Sequence, residues 1–163
     1  MSERKKVIEW ADPRPGPATM PKLTGLEYMQ QMMSRVLPAP PIASLMDFTL
    51  SEVSAGTVSF VCTPDESHYN PLGIVHGGLV CTLLDSALGC AVQTTLPQGS
   101  GYTSIEIKVN YLRGVTAESG ELTVTGVVTK PGSRVAFAEG HVTDGAGKVV
   151  ATATGSCLVF PIG

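Results

Sequence analysis

Charge is what this chain of 163 residues has least of: 15% of its side chains are Asp, Glu, Lys or Arg, where soluble domains carry roughly a quarter. Lys and Arg together number 11 and the formal net charge is −3. The one basic run, Arg4-Lys5-Lys6, is too short to build the basic face that nucleic acid requires, so that class of partner is excluded. A surface with so little charge is expected to be covered in part by another subunit. Long apolar runs are missing too. No stretch approaches the roughly 18 residues of a membrane span, and the charged opening MSERKKVIEWADPRPGP leads into no apolar h-region. Neither a signal peptide nor membrane insertion is expected, and a cytoplasmic location is the default. Paired C-x-x-C spacing is lacking: Cys62, Cys81, Cys90 and Cys157 sit in apolar surroundings and read as buried free thiols. His68, His76 and His141 are not grouped with acids at ligand spacing, so no metal is expected.

What is present reads as one domain, since the length suits a single core and is short for two. Residues 1–23 are rich in proline and charge and read as an extended arm ahead of a domain spanning 24–163. Trp10 in that arm is expected to dock on the body or on a partner, because an indole brings a large apolar area. Thr24 and Glu27 have the T-x-x-E form of a capping box, and apolar residues from Leu26 to Val36 follow at helical spacing, which predicts a helix over about 25–36. Residues 42–63 read as two strands joined at Ser54-Ala55-Gly56. The longest helical pattern covers 78–95 and stops at Pro97. Strands follow over about 102–113, 118–129, 133–144 and 148–160, separated by Gly114, Lys130-Pro131-Gly132 and Asp144-Gly145-Ala146-Gly147. Links this short predict antiparallel neighbours. One long apolar helix among such strands is buried most simply inside a curled sheet, an α+β layered fold of five or six antiparallel strands with an extra N-terminal helix.

The long helix carries an unusual aspartate. Between Glu66 and Glu106 the only formally charged residue is Asp85. Leu79, Val80, Leu83, Leu84, Ala87, Leu88, Ala91 and Val92 form the face expected against the sheet. The opposite stripe, Gly78, Thr82, Asp85, Ser86, Gly89 and Gln93, consists mostly of small residues and is expected to admit a ligand or a second copy of the chain. A carboxylate set among Leu, Ala and Gly is expected to be poorly hydrated, the condition under which carboxylates make effective bases. At the head of the helix, Gly77 and Gly78 can bring backbone N–H groups close to a ligand at the positive end of the helix dipole, where a developing oxyanion is held. Asn70 and His76 flank that point with groups able to bind a carbonyl or a water. Asp85 lies two turns on, about 12 Å along the axis at 1.5 Å per residue. One chain therefore separates carboxylate from oxyanion site, and two chains could join them.

The segments N-P-L-G-x-x-H-G-G, an Asp nine residues after the His, S-I-E-x-x-V-N-Y-L-R, and G-x-V-x-D-x-x-G-x-x-V-A-x-A at Gly140 to Ala153 resemble the hotdog-fold acyl-CoA thioesterases of the phenylacetate-degradation (PaaI) type. The likeness covers about residues 42–160. It implies a hotdog fold and hydrolysis of acyl-CoA thioesters, with no cofactor beyond the coenzyme A of the substrate. It further implies a homodimer, assembled as a dimer of dimers into a homotetramer. By the same resemblance Asp85 is base or nucleophile, Gly77 the oxyanion donor, Asn70 and His76 orient carbonyl or water, and Ser104 assists the carboxylate. Gly78, Arg113, Lys130 and Arg134 become candidates for contacting substrate or the phosphates of coenzyme A, Arg134 first among the cations because it follows the Lys130 to Ser133 turn. Simple strand alternation opposes the assignment of Ser104: it places Thr103 with Ile105, Ile107, Val109 and Tyr111, and Ser104 on the other face. Thr103 is therefore the reserve. Arg113-Gly114 stands where the family usually has Arg-Pro.

Two other functions fit less well. His68-Tyr69-Asn70-Pro71 resembles the H-F-P segment of hotdog dehydratases, although the spacing to Asp85 selects His76 instead. A non-catalytic acyl-CoA sensor would usually carry a DNA-binding segment, and 23 proline-rich residues cannot build a helix-turn-helix.

Overall fold

The computed structural model describes residues 3–162. Ahead of the sheet lie three short helices: α1 Pro15–Thr19, α2 Gly25–Met33 and α3 Pro41–Leu45. The strands are β1 Phe48–Ser54, β2 Thr57–Cys62, β3 Ser100–Tyr111, β4 Leu122–Lys130, β5 Val135–Thr143 and β6 Val149–Pro161, and the long helix α4 runs Gly77–Gln93. All six strands form one antiparallel sheet in the order β1-β2-β4-β5-β6-β3.

The capping box predicted at Thr24 is made in both directions and starts α2. This helix is shorter than expected, because Ser34 caps it and Arg35 turns left-handed at φ +60, leaving Val36 exposed. Two expectations are corrected nearby. Part of the stretch read as an extended arm is helical, since proline at the first helical positions pre-sets φ for α1. Residues 41–45 are likewise helix α3, not strand, again opened by a proline. Trp10 does not dock on its own chain: it is 61% exposed.

The connectivity also differs from a plain meander. β3 skips its sequence neighbour β4 and pairs with β6, while β2 pairs with β4. The crossing lets the sheet wrap α4, whose Leu83, Leu84, Ala87, Ala91 and Val92 are fully buried against Val58, Leu122, Val124, Ala136, Val142 and Ala151. Burying a leucine in this way contributes roughly 2 kcal/mol. Close approach of helix to sheet depends on a notch of glycines. A Cβ on Gly126 would lie 2.4 Å from the Ala87 backbone, and one on Gly140 would lie 2.7 Å from Leu88.

Candidate active site

The loop before α4 is built from its own polar groups. Asn70 Oδ1 accepts from the Leu72 N–H at 2.8 Å and the Ile74 N–H at 3.5 Å, and the Asn70 N–H donates to the Ile74 carbonyl at 2.8 Å. Gly73, at φ +75, supplies the left-handed residue that this tight turn needs. The carboxamide oxygen of Asn70 is thus committed to the loop, while its NH2 has no partner among the described residues. His76 is the N-cap of α4: its Nδ1 accepts from the Gly78 N–H at 2.8 Å. Gly78 is therefore engaged with His76, whereas nothing among the described residues accepts from the Gly77 N–H. Asn70, Gly77, Tyr111 and Arg113 line one cavity of about 300 Å³ at this end of the helix.

Asp85 stands mid-helix and is exposed. Leucines on the same helix do not bury it, because they turn inward to the sheet, so the expected poor hydration is not met within one chain. Its Oδ1 accepts a hydrogen bond from the Ser104 hydroxyl at 2.8 Å. Ser104 reaches it because β3 is bulged: Ser104 pairs with Cys157 and Glu106 with Ser156, leaving Ile105 as the extra residue. The bulge inverts the alternation, so Tyr102 and Ser104 before it share the helix-facing side with Ile107 and Val109 after it. Ser104 is the partner, and Thr103, the reserve, is not.

The stripe opposite the core is less open than the sequence implied. Gly89 is covered by Tyr102, whose hydroxyl would lie 2.4 Å from a Cβ there, and Gln93 is buried where α2 crosses, its carbonyl 1.7 Å from a Cβ on Gly25. The chain itself fills the second half of the stripe. Only the half with Gly78, Thr82, Asp85 and Ser86 remains for a visitor.

The predicted phosphate contacts divide between two ends. Arg113 follows β3 and joins Asn70 and Gly77 in the helix-head cavity. Lys130, 6.0 Å from the Phe137 ring centroid, and Arg134, whose carbonyl accepts from Val159, belong to the opposite end of the sheet. His68 is buried, and its Nδ1 accepts from the Asp65 N–H at 3.1 Å while its carbonyl accepts from the His76 N–H at 2.7 Å. It fastens the loop and cannot meet a substrate. All four cysteines are free, and burial pushes Cys62 up to about 11 and Cys90 up to about 12, which suits packing and not nucleophilic attack. Sequence reasoning gave no role to Tyr102 or Tyr111; the signal was the glycines they touch, Gly89 and Gly77, each bare because an aromatic ring lies against it.

A hydroxyl-supported carboxylate and a free N–H at a helix head are the parts needed for acyl transfer to water. Comparison with known proteins agrees. The Thioesterase superfamily matches residues 72–151. Human acyl-coenzyme A thioesterase 13 is 32% identical over 105 residues, 63% of this chain and 73% of that protein, and the mouse protein of the same name is 29% identical over 129 residues, 77% and 89%. A solved phenylacetic acid degradation-related protein from Ralstonia eutropha superposes with a TM-score of 0.73 at 27% identity, covering 80% of this chain and 98% of that one.

Proposed function

We propose that this chain, which belongs to the thioesterase superfamily, hydrolyses acyl-CoA thioesters to the free acid and coenzyme A. The observation that carries the mechanism is the Ser104 hydroxyl donating to Asp85 at the middle of the long helix. In one route Asp85 takes a proton from water as the water oxygen attacks the thioester carbon. In the other its own oxygen attacks, and water later cleaves the anhydride. In both, the carbonyl electrons move onto oxygen, the Gly77 N–H stabilises that oxyanion, and collapse breaks the C–S bond to release the CoA thiolate. A single donor of this kind contributes on the order of 3 kcal/mol. Asn70, through its free NH2, and His76 orient the carbonyl or the water.

The helix separation argues that each site draws on two chains, Asp85 and Ser104 from one and Asn70, His76 and Gly77 from its partner. The unpaired edge of the 12-residue β3 supports a dimer continuing the sheet. In that assembly Arg113, at the end of Asn70, serves the phosphates from one chain, and Lys130 and Arg134, at the Ser104 end of the sheet, lie on the side of the other. Ile105, Phe137, Leu158 and Phe160, all exposed, favour a second dimer on the outer sheet face, giving a tetramer. Four free thiols fit a reducing compartment, so we assign action in the cytoplasm. No helix among the described residues is long and apolar enough to cross a membrane.

The test is a panel of aromatic and medium-chain acyl-CoAs, with the freed thiol trapped by a chromogenic reagent. Release of CoA in step with acid formation is expected. Hydration of an enoyl-CoA without thiol release, or tight binding without turnover, overturns the reading.

A further inference from the structure

One polar side chain lining the helix-head cavity has no part in the mechanism above: Tyr111, the last residue of β3. Its hydroxyl donates to the Gly77 carbonyl at 2.9 Å. That carbonyl belongs to the Gly77–Gly78 peptide, and the N–H of the same peptide donates to His76 Nδ1 at 2.8 Å. Hydroxyl, peptide and imidazole thus form one continuous chain of hydrogen bonds. Both glycines are required by it. A Cβ on Gly77 would lie 3.1 Å from the Tyr111 ring, and one on Gly78 would lie 2.9 Å from His76 Nδ1.

We propose that Tyr111 is a positioning residue that acts through the Gly77–Gly78 peptide to hold His76 with Nδ1 bare and the proton on Nε2. The inference rests on the thioesterase reading for its effect on rate, but not for its effect on the imidazole. A peptide whose carbonyl accepts a hydrogen bond is polarised, and its N–H becomes a better donor. That N–H can bond Nδ1 only while Nδ1 carries no proton, so the neutral imidazole must present Nε2–H, a donor suited to a carbonyl or water oxygen. The same tether fixes the first turn of α4. Because the Gly77 N–H leaves from the adjoining peptide, the phenol also sets the direction of the oxyanion donor. Tyr111 does so without touching the reacting atoms.

The test uses full-length protein with Tyr111→Phe, which keeps the ring against Gly77 and removes only the hydroxyl. With one orienting hydrogen bond lost, kcat is expected to fall about tenfold while KM stays within about twofold. Thermal melting should be little changed. Imidazole 15N shifts of His76 should show the Nε2–H tautomer in the wild type and a mixture in the variant. A variant with unchanged kcat, or with lowered kcat and an unmoved tautomer, overturns the relay. If Tyr111→Phe does not fold, the wild-type spectrum still decides, because an Nδ1–H tautomer there is incompatible with the chain of bonds. Should the wild type cleave no thioester, the functional reading fails by itself, and the tautomer measurement continues to judge the relay.

Discussion

The two edges of the sheet are finished in different ways. β1 is seven residues long, broken by an irregularity between Leu50 and Glu52, and flanked by α2 and α3. These are the usual protections of an edge against unwanted pairing. β3 is 12 residues long, and no described strand lies beyond it. It does carry one bulge, but that bulge turns Ser104 toward Asp85. The proposed dimer would pair at this open edge, which holds Ser104, whereas β1 is shielded by the helices beside it. The comparison predicts that changes at the β3 side alter chemistry and assembly, and changes at the β1 side alter stability alone.

The largest effect is expected from Asp85→Asn, which keeps the shape and removes the base. Steady-state kinetics should show kcat lowered at least about 100-fold with KM nearly constant; a variant of near-normal kcat ends the proposed role. Next is complementation across the open edge. Asp85→Asn and Asn70→Ala, unfolded and refolded together, should form about half mixed dimers, each with one site free of both changes, so about a quarter of wild-type activity returns. Chains shown to be mixed by mass but no more active than the average of the two variants would mean that the site is complete within one chain.

Ser104→Ala should act more mildly, about tenfold on kcat, the loss of one charge-assisted hydrogen bond. Thr103→Ala should leave kcat unchanged; the reverse result would mean that the β3 bulge is absent in solution. This pair also marks what the sequence could reveal. The long helix, its inward leucines, the Thr24 cap and the composition of six strands were legible because each rests on local periodicity or a local hydrogen bond. Ser104 was legible only through the family resemblance and against periodicity, since strand alternation has period two and a bulge changes it by pairing two residues against one across strands, which only the register with β6 discloses. The covering of Gly89 and Gln93 was hidden for a similar reason: the residues that cover them, Tyr102 and Gly25, are distant in sequence. The exposure of Asp85 was missed because its apolar neighbours on the helix face away from it.

The smallest effect is expected at the closed edge. Lys6, from the N-terminal arm, pairs with Asp47 just before β1 and donates to Ser67 Oγ at 2.9 Å, with Asp65 3.7 Å away. These groups are largely solvent-exposed, so their attraction is weakened by water and salt. Lys6→Ala should therefore lower stability in denaturant titration by less than about 1 kcal/mol, and by still less in high salt. Asp65 adds a sign that can be checked. The Ser67 hydroxyl, opposed by burial and assisted by the Ser67 N–H and the nearby Lys6 ammonium, holds its carboxyl below the usual range. A carboxylate with a lowered folded value stabilises the fold above its ordinary value of about 3.9 and loses that contribution as pH falls through the lowered one. The difference between the wild type and Lys6→Ala should accordingly be constant at neutral pH and shrink only in acid below about pH 4. Throughout, kcat should match the wild type within about twofold, because Asp85 and Ser104 bond each other and no described residue at this edge bonds to either. A Lys6→Ala protein of normal stability but tenfold lower kcat would show that the arm reaches the active site, and the division of labour between the two edges would be wrong.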